Sequence, residues 1–141
     1  MSRSSIALAM GVAFLLGATA CSGGDKGPLA VASVQLSKDD GQGNAGDAVT
    51  GFHPADGAIH CEATLNKVES GAKVGIALVA VDAGGAKNAP ITSTVLTTNA
   101  ITNTADGKFT LPRPWPAGTY RCDVTLNGAA AKSVDFAVTP A

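Results

Sequence analysis

Apolar and polar residues alternate with a period of two along most of this 141-residue chain. That period puts successive side chains on opposite faces of a strand. Val34 and Leu36 alternate with Ser33, Gln35 and Ser37. Over residues 58–65, Ile59, Cys61, Ala63 and Leu65 share one face, and His60, Glu62 and Thr64 share the other. Residues 73–81 are apolar on both faces, as expected of a central, well-covered strand. A Thr-rich strand is expected over 92–97, and a short one over 108–111 with Phe109 and Leu111 inward. Residues 118–126 turn Tyr120, Cys122, Val124 and Leu126 to one side; residues 132–138 do the same with Val134, Phe136 and Val138. Residues 39–44, 82–85 and Asp106-Gly107 read as turns, and Asn127-Gly128 is a strong hairpin signal. There is no long segment of period 3.6 and no internal repeat. About seven short strands in this length predict an all-β, antiparallel β-sandwich.

The first twenty residues break this pattern. One positive charge, Arg3, precedes a charge-free run from Ile6 to Leu16, followed by small residues up to Ala20. A positive start, about 7–15 apolar residues and a small-residue cleavage site make up a secretory signal peptide. A spanning helix needs roughly 20 apolar residues, so this run is short for one. The next residue is Cys21. Ala18-Thr19-Ala20-Cys21 resembles the lipobox of bacterial lipoproteins, departing from it at Ala18, where a large aliphatic residue is usual. The resemblance implies cleavage before Cys21 and attachment of lipid to its sulfur, so that a membrane becomes a partner through the anchor. Two or three acyl chains, each buried methylene contributing about 0.8 kcal/mol, would hold the protein firmly. On this reading residues 1–20 are a cleaved signal helix, residues 21–28 a lipidated cysteine with a flexible tether, and residues 29–141 the exported domain. The expected location is the bacterial cell envelope. Ser22 after the cysteine resembles lipoproteins sorted to an outer membrane.

Removal of the signal leaves 9 Lys and Arg against 11 Asp and Glu, without a basic block. Nucleic-acid binding, which needs clustered positive charge, is not expected. Few aromatics and much Gly, Ala, Thr and Val favour strands and turns over helices.

With Cys21 assigned to lipid, Cys61 and Cys122 remain as a pair on the inward faces of their strands. In an oxidising compartment a disulfide is expected. It would close a loop of about 62 residues, worth roughly 4 kcal/mol in the chain-entropy account. The stretch Gly118-Thr119-Tyr120-Arg121-Cys122 resembles the immunoglobulin family around its second cysteine. The resemblance implies that Cys61 lies on strand B and Cys122 on strand F. It also implies that Tyr120 forms a tyrosine corner, bonding back to the backbone upstream. The tryptophan usual on strand C is missing, so an immunoglobulin-like sandwich is expected rather than a true family member.

Candidate chemistry is sparse. His53 and His60 are the only histidines. His60 adjoins Cys61, but neighbours on a strand face opposite ways, and no nucleophile stands beside a base. A catalytic role is not expected, and no cofactor is implied. His53, Asp56, His60 and Glu62 cluster in sequence and form a weak candidate metal set, with His60 and Glu62 about 7 Å apart on one strand face. Their spacing matches no standard zinc or calcium pattern, and an exposed polar face explains them as well. Trp115, between Pro114 and Pro116, is the sole candidate platform for a ligand such as a carbohydrate; its other reading is a cap on the end of the sandwich. The leading functional expectation is an anchored, non-catalytic module that binds a protein or envelope partner. Metal handling through His53, His60 and Glu62 is the alternative.

Overall fold

The computed structural model describes residues 27–141. The expected signal segment, Cys21 and most of the tether lie outside them. Eight strands follow in order: β1 (Val31–Asp39), β2 (Ala45–Ala48), β3 (Ile59–Leu65), β4 (Lys73–Ala83), β5 (Ala86–Thr97), β6 (Thr104–Phe109), β7 (Gly118–Leu126) and β8 (Ala129–Val138). They form two four-stranded sheets, ordered β2-β1-β3-β6 and β5-β4-β7-β8. Every pairing within the sheets is antiparallel. The expected sandwich is present, with one strand more than the alternation indicated. The additional strand is β2, whose Ala-Gly-Asp-Ala sequence carries no apolar alternation to betray it.

The inward faces meet as predicted. Ile59, Cys61, Ala63 and Leu65 of β3 pack in one core with Val74, Ile76 and Leu78 of β4 and with Tyr120, Cys122 and Val124 of β7. Burial of these apolar faces is the main force joining the sheets. A disulfide between Cys61 and Cys122 crosses the core and fastens β3 to β7, with their Cα atoms 6.8 Å apart. Phe109 and Phe136 are buried in the same core. Segment 49–53 passes from one sheet to the other. The Val49 N–H donates to Leu36 O, then Phe52 exchanges backbone bonds with Ala137 and Thr139 beside β8. That parallel bridge partly covers an edge otherwise open to another strand.

Two expectations need correction. Asp106-Gly107 is no turn: both residues lie inside β6, opposite Glu62 and Cys61 respectively. Gly107 faces the core, where a Cβ would come 2.9 Å from Ile76 Cγ2, so the lack of a side chain is what lets the opposite sheet approach. The Thr-rich strand also starts earlier than expected, at Ala86, because the tight turn at Gly84-Gly85 returns the chain directly along β4. Pro90 sits at a register shift on this edge strand, where a missing N–H is tolerated.

Candidate functional site

Among the described residues, His60 and its neighbour Ser37 are the buried polar residues. His60 lies on the outer face of β3, as its place in the alternation demands, with Ser37 of β1 and Lys108 of β6 as its cross-strand neighbours. The expectation of an exposed polar face fails there, because the His60 side chain is fully buried. Asp39, at the end of β1, accepts a hydrogen bond from Nε2 at 3.0 Å. Asp106 of β6 accepts one from Nδ1 at 2.7 Å. When both carboxylates are ionised they can only accept, and the ring that donates to both is then an imidazolium. Burial opposes that charge, but the two carboxylates outweigh it, and the His60 pKa is raised. Asp39 is held far below the usual carboxylate range, first by His60, then by the N–H groups of Gly41 and Gly43 and by Lys108, against the effect of burial. Lys108 crosses the width of β3 to reach Asp39 Oδ2 at 3.3 Å, and so closes over the ring.

This arrangement binds β1, β3 and β6 together on the side away from the core. It also accounts for the weak metal set. Both His60 nitrogens are occupied, leaving no lone pair for a metal ion. His53 is exposed; its Nδ1 lies 2.6 Å from Thr139 O and its backbone N–H donates to Asp56. Glu62 stands opposite Asp106 and is half-buried. Among the described residues no group of three or more His, Cys, Asp or Glu side chains is arranged to hold a metal ion. Asp39 and Asp106, the residues that define the cluster, escaped the sequence reading. They lie 21 and 46 positions from His60, inside stretches whose composition reads as turn.

Phe52, Phe136, Tyr120 and Trp115 form a chain of ring contacts. Tyr120 donates its hydroxyl proton to Pro116 O at 2.6 Å, four residues upstream, which is the tyrosine corner. Gly118 makes the corner possible. A Cβ there would lie 2.2 Å from Asp82 O, in a backbone conformation at φ 149°. Tyr120 stacks on Phe136 with centroids 5.4 Å apart, and Trp115 meets it edge-on at 6.0 Å. Trp115 is only 2% exposed. Its indole N–H donates to Gly57 O. It therefore caps the end of the sandwich and offers no ring face to a ligand.

The outer face of the second sheet is more open. Arg121 Nε and Ser133 Oγ each lie 2.7 Å from Asp123 Oδ1. These residues line a shallow hollow of about 480 Å³ with Val124, Thr125 and Lys132.

No family model matches the chain, and no curated protein matches it. In structure the chain is similar to an immunoglobulin-like protein from Pseudomonas aeruginosa. The TM-score is 0.54 at 10% identity, over 82% of this chain and 100% of that one. At such identity the likeness shows the fold alone. The domain has an immunoglobulin-like fold, its two sheets joined through β3 and β7 by the Cys61–Cys122 disulfide.

Proposed function

We propose that this chain is a bacterial envelope lipoprotein, held to a membrane through Cys21, whose immunoglobulin-like domain acts by binding a protein or envelope partner rather than by catalysis. The observation that carries the reading is the Cys61–Cys122 disulfide. A buried disulfide belongs to an exported domain. The chain has three cysteines, so the pairing leaves Cys21 with no other cysteine to join. Cys21 stands directly after an apolar run and small residues, where a lipid acceptor would stand. The titratable groups agree with a binding role. His60 and Asp39 are engaged within the fold. The open hollow at Arg121, Asp123 and Lys132 supplies polar groups that a partner could meet.

Cell fractionation of the wild type and of Cys21→Ala tests the anchor: the wild type stays with membranes and the variant moves to the soluble fraction. Equal membrane retention of both would refute it. Crosslinking in intact envelopes, followed by affinity capture, tests the binding role. A reproducible partner lost on Arg121→Glu/Ser133→Arg substitution supports it, and a chain that crosslinks to nothing counts against it.

A further inference from the structure

The strands give the domain two poles. The pole where β3, β5 and β7 end is formed by loops 66–72 and 98–103 and the turn 127–128. The chain enters the domain at this same pole. Asn66 donates from Nδ2 to Pro28 O, and its Oδ1 accepts from the N–H of Ala30. Among the described residues, the large apolar side chains left exposed are Val68 at 47%, Val95 at 66% and Ile101 at 88%. Val68 and Ile101 lie in these loops, and Val95 is two residues from the end of β5. Exposed apolar groups are ordinary when scattered, but these gather at one pole.

The loops are built rather than loose. Asn99 Oδ1 accepts from the N–H groups of Ile101 and Thr102, at 2.8 and 3.0 Å, and so presents Ile101 at a tip. Thr98 ties this loop to the other one, exchanging backbone bonds with Gly71 and Ala72 and donating its hydroxyl to Glu69 O. The three loops contain no aspartate; their charges are Lys67 and Glu69, with Lys73 at the adjoining strand end. The opposite pole carries Asp39, Asp40, Asp56 and Asp82 beside Lys38, Lys87, Lys108 and Arg113.

We infer that this pole rests on the lipid surface, with Ile101 and Val68 entering the interfacial layer. The inference rests on the lipid anchor at Cys21 and goes beyond it. Only six peptide steps separate Cys21 from Gly27. At about 3.6 Å per residue they reach at most about 20 Å, whatever their path. A nine-residue strand such as β1 is itself about 30 Å long, so an anchored chain holds this pole near the bilayer and its opposite away from it. Apolar tips on a pole that carries Lys67 and Lys73 against Glu69 suit an interface whose lipids carry negative charge.

The experiment uses the full lipidated chain in vesicles of phosphatidylethanolamine and phosphatidylglycerol. One environment-sensitive fluorophore is placed by Val68→Cys, Ile101→Cys or, at the opposite pole, Lys87→Cys. The inference predicts a blue shift and several-fold stronger quenching by lipid-borne nitroxide at 68 and 101 than at 87. Flotation of the same samples reads the anchor separately. Protein that fails to float overturns both readings. Protein that floats with labels at 101 and 87 quenched equally overturns the membrane-facing pole alone. Protection at 101 that arises only in native envelope vesicles would assign the pole to a protein and also overturn the inference.

Discussion

At the scale of single residues, His60 shows how a fold can hold a buried histidine between two carboxylates. It occupies an outward position and is nevertheless sealed, because Asp39, Asp106 and Lys108 close around it. The raised pKa of His60 gives its charge a stabilising role with a definite sign. That stabilisation is fully present below the ordinary histidine value of 6.5 and is lost as pH rises through the higher folded-state value. Asp39, whose pKa is depressed, contributes above its ordinary 3.8 and loses its contribution as pH falls below that. Urea unfolding of the domain across pH should therefore show resistance falling from mildly acid to alkaline conditions, and His60→Gln should flatten that limb. An unchanged pH slope in His60→Gln would refute the assignment. His60→Ala should cost about 2 kcal/mol, the scale of a hydrogen bond to a charged group, since Asp106 stays partly solvated. Tyr120→Phe removes the corner bond and strands a carbonyl, and should lower stability by about 1–2 kcal/mol in the same assay.

Much of this residue-level picture was written in local alternation. Cys61, Cys122 and Tyr120 face inward because they fall on the apolar phase of their strands, and a period of two is all that is needed to see it. The cluster at His60 was hidden for a physical reason. Its partners are brought together by the registers of two strand pairs, and no local signal reports which β1 and β6 residues will flank position 60. Trp115 was ambiguous between cap and platform because burial at the end of a sandwich depends on how loops close.

At the scale of elements, turn chemistry both revealed and misled. Asn127-Gly128 joins β7 and β8 as its sequence announces, with both residues at positive φ. Asp106-Gly107 has the same kind of sequence but serves inside a strand. Asp106 is recruited outward by His60, and Gly107 inward by the close approach of Ile76. Gly107→Ala should accordingly destabilise by about 1–3 kcal/mol through overpacking. Asn127-Gly128→Ala-Ala should act instead through strain in the turn. Calorimetric melting of the two variants distinguishes core from turn, since Ile76→Ala, which removes the opposing Cγ2, should offset part of the cost of Gly107→Ala and none of that of the turn variant.

At the scale of the whole molecule, the disulfide holds two thin sheets around a modest core. It closes a loop 61 positions long, for which the chain-entropy account gives about 4 kcal/mol. Cys61→Ala/Cys122→Ala should lower the melting temperature by on the order of 15 °C, and an unchanged melt would show that the sheets need no staple. The immunoglobulin-like scaffold itself was legible from about seven alternating segments and two inward cysteines. A face for the proposed partner was not, because a binding face is defined by what it meets. The anchor rests on residues before the domain, where the order of charge, apolar run, small residues and cysteine carries the whole signal.

Intact-mass spectrometry of the detergent-extracted chain tests that anchor most directly. The account predicts a polypeptide beginning at Cys21, heavier than its sequence by a diacylglycerol and, where the new amino group is acylated, one further acyl chain. A chain that retains residues 1–20, or that begins at or near Cys21 with an unmodified thiol, would contradict it.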